Sequence, residues 1–181
     1  MKEVKIHNKK FKVLIPSEEI QKGISEVAGK INTELKGKQP LFICVLNGAF
    51  IFASDLLKKI NIECEISFVK LASYQGTTSS GEVKTLIGLD ENVRNRTVVI
   101  LEDIVDTGLT VETIVKQLKV FKPKKIKIAT LLFKPDAYKK NIPIDYIALK
   151  VPNDFIVGYG LDYDGLGRNL EDIYVIDKLP K

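Results

Sequence analysis

The sequence predicts an α/β fold, a single domain over residues 1–181 built on a central, mainly parallel twisted sheet flanked by helices. Three observations carry that expectation. First, Val98 to Leu101 is an unbroken aliphatic run that leads into Glu102 and Asp103, the pattern of a strand buried on both faces that surfaces at its carboxyl end. Second, strand, glycine turn and helix follow one another twice, at 41–59 and again at 98–121. Third, no internal repeat, low-complexity tract or linker divides the 181 residues, a length that fits one domain with a sizeable core.

Taken in order, residues 3 to 15 alternate weakly and predict one or two short strands turning near Asn8 to Lys10. A helix follows Pro16, with Ser17 as N-cap and Glu18 and Glu19 in its first turn. Ile20, Ile24, Val27, Ile31 and Leu35 form its apolar stripe, and Gly37 ends it. Leu41 to Leu46 is a buried strand that breaks at Asn47-Gly48 before a helix from about Ala49 to Lys59. That turn reads either as a second anion site at a helix N-terminus or as a plain connection.

Glu63 to Leu71 alternates as a strand and runs into a Ser- and Thr-rich stretch, Ser73 to Gly81, which has little to bury. It reads as an active-site lid or as a hairpin tip, with Val83 to Gly88 returning as partner strand. After the 98–103 strand come Asp106, Thr107, Gly108, Leu109 and Thr110, then Val111, Ile114, Val115 and Leu118 at helical spacing. A helix N-terminus there offers unpaired N–H groups and partial positive charge, a seat for a monoester phosphate. Glu102 and Asp103 would repel that phosphate, so they suit sugar hydroxyls or a divalent cation. A phosphorylated sugar satisfies both halves.

Lys125 to Phe133 and Tyr146 to Val151 are the next strands, and Lys134 stands at the carboxyl end of the first, either a donor to a carbonyl oxygen or a solvated lysine. Between Phe155 and Asn169 the glycine and aspartate breaks argue for a loop that forms a site. Ile173 to Ile176 reads as the strand that closes the sheet.

Composition narrows the chemistry. No segment is apolar for the length a bilayer needs and the N-terminus lacks the apolar core of a secretion signal, so the cytosol is the expected setting. Cys44 and Cys64 sit in apolar runs and are expected to be buried small hydrophobes. The single histidine, His7, is remote in sequence from the acids, which turns attention to carboxylates and a cation. The net charge of +5 comes from scattered lysines, densest at Lys122, Lys124, Lys125 and Lys127, with few arginines and no aromatics interleaved in that group, the mark of a solvated surface rather than a nucleic-acid face.

The stretch 98–110 resembles the phosphoribosyl pyrophosphate signature of the type I phosphoribosyltransferases: four hydrophobic residues, two acids and a loop containing Asp-Thr-Gly. The run from Phe155 to Asn169 resembles the C-terminal signature of the hypoxanthine-guanine members. Weaker matches lie at 46–48 and at Ser73-Tyr74, and the likeness extends from about residue 10 to 177. It implies the fold of that family, with a small hood built from the terminal segments over the main sheet.

The resemblance further implies residue roles. Glu102, Asp103 and the loop 106–110 hold ribose 5-phosphate, while Asn47, Gly48 and Arg168 meet pyrophosphate. Ser73 and Tyr74 belong to a closing loop, and Lys134, Phe155, Ile156 and Asp162 receive the purine. Magnesium is held with Glu102, Asp103 and Asp162, and Asp106 is the base that takes a proton from N7. Many relatives carry a lysine where this chain has Asn47, which leaves backbone N–H groups to act alone. The implied activity is Mg²⁺-dependent transfer of 5-phosphoribosyl to N9 of hypoxanthine or guanine by a cytoplasmic dimer or tetramer without nucleic-acid or membrane partners. The competing readings are a regulator that binds phosphoribosyl pyrophosphate without chemistry, and a transferase for another base such as xanthine.

Overall fold

The computed structural model of the protein describes residues 3–73, 83–87 and 92–177. Its main sheet has the strand order β5-β4-β3-β6-β7-β8. Here β3 is Leu41–Leu46, β4 Glu65–Ser73, β5 Val83–Ile87, β6 Thr97–Val105, β7 Lys125–Phe133 and β8 Tyr146–Lys150. Five of these strands run parallel and only the edge strand β5 is antiparallel to its neighbour. The parallel order places the carboxyl ends of β3, β6 and β7 along one edge, where open α/β sheets keep their ligands.

Successive side chains of the inner strands serve opposite faces, which is why they read as continuous apolar runs. Phe42, Cys44, Val99 and Leu101 pack under α1 (Ser17–Glu34) and α2 (Phe50–Leu57), together with Ile20, Ile24 and Phe52. Leu41, Ile43, Val98 and Ile100 face the other way, onto Val111, Ile114 and Leu118 of α3 (Leu109–Val120). Each such side chain, fully buried, contributes roughly 1.5–3 kcal/mol, so β3 and β6 are the best-anchored part of the sheet.

A second, four-stranded antiparallel sheet has the order β1-β2-β10-β9, with β1 Glu3–Ile6, β2 Lys9–Ile15, β9 Ile156–Val157 and β10 Ile173–Ile176. This is the hood built from the terminal segments. It corrects the expectation that Ile173 to Ile176 closes the main sheet: the strand pairs with β2 and β9 instead. Two residues of β9 were hidden in the predicted loop, because two extended residues carry no period.

Three further expectations change. Ser17 is not the N-cap of α1: Pro16 holds that position without a side-chain cap, and the Ser17 N–H donates to Asp172 Oδ1 at 2.8 Å. A carboxylate 155 residues away therefore does the capping and ties hood to helix. Helix α2 is shorter than its pattern, ending at Leu57. Cys44 is buried as expected, whereas Cys64 is exposed just before the start of β4.

Candidate active site

One cavity of about 350 Å³ lies at the carboxyl ends of β3 and β6, lined by residues 102–111 together with Val45, Leu46, Gly48 and Leu71. The whole predicted loop, Asp106 to Thr110, thus borders the same space as Glu102, Asp103 and Gly48. At the mouth of α3, Gly108 occupies the N-cap position at φ +84° and no side chain caps the helix. That conformation favours glycine, and a Cβ would also stand 2.5 Å from Tyr138 and 2.8 Å from Lys140. The uncapped amides and the helix dipole face the cavity edge, a ready seat for a phosphate dianion.

Glu102 is buried and Asp103 half-buried. Glu102 has one carboxylate oxygen, Oε1, without a hydrogen-bond partner. Burial first, then the charge of Asp103, pushes its carboxyl well above the usual range, which favours the neutral acid. Burial likewise raises Asp103; hydrogen bonds from the backbone and the Arg168 charge pull the other way, while Asp162 pushes it up. Asp103 Oδ1 accepts the Ile104 N–H at 2.8 Å, and its Oδ2 lies where a Cβ of Gly48 would be. Glycine at 48 is what lets β6 bring this carboxylate against the β3 turn.

The C-terminal loop reaches the same turn. Gly160 sits so close to the Gly48 carbonyl that a Cβ there would overlap the oxygen, and φ of +102° adds a second reason for glycine. Arg168 Nη1 donates to the Gly160 carbonyl at 2.6 Å, and its Nη2 pairs with Asp162 Oδ1 at 2.6 Å. Asp162 Oδ2 also accepts the Gly165 N–H at 2.8 Å. Asp162 and Arg168, two of the predicted site residues of this loop, are therefore engaged with each other. Asn47 is exposed beside Gly48.

Lys134 is buried at the end of β7, and its ammonium pairs with Asp106 Oδ2 at 3.0 Å. The lysine expected to serve the base and the aspartate expected to take its proton are thus one ion pair. Phe155 is 45% exposed, with Tyr163 edge-on at 5.6 Å between ring centroids and Phe11 tilted behind at 6.3 Å. It offers an aromatic surface at the hood, and Ile156 follows it, buried in β9. Ser73 is the last residue of β4, while Tyr74 lies outside the described residues.

Among the described residues no group of three or more His, Cys, Asp or Glu side chains is set to hold a metal. The expected trio of Glu102, Asp103 and Asp162 is not assembled as such a group, and Asp162 pairs with Arg168. A magnesium ion asks less of a protein, taking one or two carboxylates and completing its shell with phosphate oxygens and water. The unpartnered Glu102 oxygen and the adjacent Asp103 fit that demand.

A family model described as the phosphoribosyl transferase domain matches residues 16–164. The chain belongs to this family. Phosphoribosyl transferase relatives include the hypoxanthine-guanine phosphoribosyltransferase of Bacillus subtilis, 45% identical over 166 residues that make up 91% of this chain and 92% of that protein. The bifunctional protein TilS/HprT of Listeria monocytogenes is 43% identical over 172 residues, 94% of this chain but only 26% of that one. The chain thus spans about a quarter of the length of such bifunctional relatives. Among solved structures, a hypoxanthine phosphoribosyltransferase from Staphylococcus aureus superposes with a TM-score of 0.86 at 38% identity, covering 92% of this chain and 91% of that one. The Trypanosoma cruzi hypoxanthine phosphoribosyl transferase gives 0.85 at 34% identity, covering 96% and 95%.

Two contributors to the site escaped the sequence reading. Tyr138 and Lys140 close over Gly108, and Lys140 is held by Glu112 of α3 at 2.9 Å. Their only signal was position just after the strand that carries Lys134.

Proposed function

We propose that the chain transfers a 5-phosphoribosyl group from phosphoribosyl pyrophosphate to N9 of hypoxanthine or guanine, releasing pyrophosphate, as a purine-salvage enzyme. The observation that carries this reading is the convergence of an uncapped helix N-terminus, a buried Glu102 and a half-buried Asp103 on one cavity. Few ligands other than a phosphorylated sugar ask for both.

In this reading the amides after Asp106 hold the 5-phosphate, and Glu102 and Asp103 bind ribose hydroxyls, fixing the ring for attack. Glu102 and Asp103 also supply the hard oxygen donors for a magnesium ion, which when bound neutralises charge on the departing pyrophosphate. Breaking the bond between the anomeric carbon and the pyrophosphate oxygen leaves an oxocarbenium-like sugar, and the lone pair of N9 forms the new bond. The purine then sheds its N7 proton to Asp106. Lys134 donates to the 6-oxo group, and in leaving Asp106 it frees that carboxylate to accept the proton. Phe155 stacks on the base.

The ion pair between Lys134 and Asp106 supports a 6-oxopurine over adenine, since an ammonium donates to a carbonyl oxygen and repels a donor amine. The same reading carries a cytoplasmic homodimer or tetramer, and sedimentation as a monomer at micromolar concentration would count against that part of it. Among the described residues no helix is long and apolar enough to cross a membrane. The test incubates the protein with magnesium, phosphoribosyl pyrophosphate and each base in turn, following nucleotide formation by absorbance. Inosine and guanosine monophosphate are the expected products. Tight binding of phosphoribosyl pyrophosphate with no base-dependent release of pyrophosphate would instead make the chain a regulator.

A further inference from the structure

Tyr159 is buried at 4% exposure inside the C-terminal loop, with its backbone at φ +49°. Its hydroxyl donates to the Asp55 carboxylate of α2 and accepts from Gln21 Nε2 of α1 at 2.9 Å. Gln21 also donates to Asp55 Oδ2 at 2.7 Å, so three side chains from three separate segments close one hydrogen-bonded ring. Burial, then the Asp55 carboxylate, pushes the phenol upward, so the hydroxyl keeps its proton and donates.

The backbone on either side of this ring connects it to the pyrophosphate end of the site. The Tyr159 N–H donates to the Leu170 carbonyl at 2.9 Å and the Gly160 N–H to the Arg168 carbonyl at 2.9 Å. Gly160 rests on the Gly48 carbonyl, and its own carbonyl receives Arg168 Nη1 at 2.6 Å. Arg168 in turn holds Asp162. The side chain that anchors this loop to both helices is therefore one residue away from the peptide on which the Arg168 guanidinium is seated. Apolar packing alone would need only a phenyl ring at this place; the hydroxyl fixes the rotation of the loop about it.

We propose that Tyr159, through its bond to Asp55, is a positioning residue that sets Arg168 against the Asn47-Gly48 turn for the pyrophosphate half of the substrate. The proposal rests on the phosphoribosyl transfer reading above and adds a residue that touches no substrate. Tyr159→Phe removes the hydroxyl and keeps the ring. Loss of one charge-assisted hydrogen bond should raise KM for phosphoribosyl pyrophosphate, and Kd for pyrophosphate, by roughly five- to tenfold. KM for hypoxanthine should stay within about twofold, because Lys134 is carried by the end of β7 and Phe155 packs on Phe11 of the hood, neither through the Tyr159 hydroxyl.

Asp55→Ala attacks the same bond from the α2 side and should show the same split, which keeps the test decisive if the first variant fails to fold. Lys58→Ala removes the exposed partner that holds Asp55 Oδ1 at 2.9 Å and should leave both constants unchanged. Unchanged pyrophosphate affinity in Tyr159→Phe and Asp55→Ala would overturn the proposal, and so would a parallel rise for both substrates, which is the signature of general loosening. Calorimetry with magnesium pyrophosphate separates the two readings. A wild-type chain that binds it without making nucleotide refutes transfer, while the variants' Kd still decides the role of Tyr159.

Discussion

Gly48→Ala is the sharpest single perturbation of this site. The backbone at Gly48 lies outside the left-handed region, so alanine costs nothing conformationally. The added methyl, however, would fall on Asp103 Oδ2, well inside the 3.0 Å that real Cβ contacts respect. The carboxylate must retreat by more than about 1 Å, against its packed neighbours and its 2.8 Å bond from the Ile104 N–H. Overpacking of this kind costs about 1–3 kcal/mol of stability. A misplacement of about 1 Å in a group that orients the ribose should cost roughly a hundredfold in kcat/KM for phosphoribosyl pyrophosphate. That corresponds to about 2.7 kcal/mol of transition-state stabilisation. The control is Gly29→Ala, an exposed helix position with nothing within 4 Å of the new methyl. It should gain about 0.8–1 kcal/mol and leave kcat/KM alone. Steady-state kinetics and thermal melts of both variants decide the matter; wild-type kcat/KM in Gly48→Ala would refute the assignment of Asp103 to the sugar.

Other variants probe separate parts of the structure. Asp106→Asn should lower kcat by roughly 10²–10⁴ with little change in KM for either substrate, read by initial rates of inosine monophosphate formation; undiminished kcat would remove Asp106 from the proton transfer. Burial, then the charges of Glu102 and Asp103, pushes the Cys44 thiol up to about 12, leaving on the order of one molecule in ten thousand ionised at pH 8. Native protein treated with iodoacetamide at that pH should accordingly be labelled at exposed Cys64 alone, with Cys44 reacting only after denaturation, as peptide mapping would show. Lys127→Met strands Asp145 and Glu34, which the buried ammonium holds at 2.9 and 2.7 Å. Because Glu34 stays half-exposed, the loss should sit near the low end for a broken buried pair, about 3 kcal/mol by urea titration.

The part of the site confined to one short stretch was legible in the residues. An aliphatic run, two acids, a glycine and an apolar stripe at helical spacing predict β6, the loop 106–110 and α3, because the strand and helix periods and the glycine turn are local properties. The hood followed only from family likeness, and its last strand was misassigned for lack of any local mark of which sheet it joins. Cys64 misled in the same way: neighbouring apolar residues do not tell which side of the chain meets solvent.

By itself, then, the order of residues determined where the chain extends, turns and coils, and which acids and amides stand together at the end of β6. Only the folded arrangement decided that Asp172 caps α1, that Lys134 closes on Asp106, and that Gly160 lies against Gly48. Those contacts join segments between 28 and 155 residues apart. A pair brought together by sheet order and hood closure leaves no periodic trace along the chain, since its geometry is set by packing of the elements between the two partners.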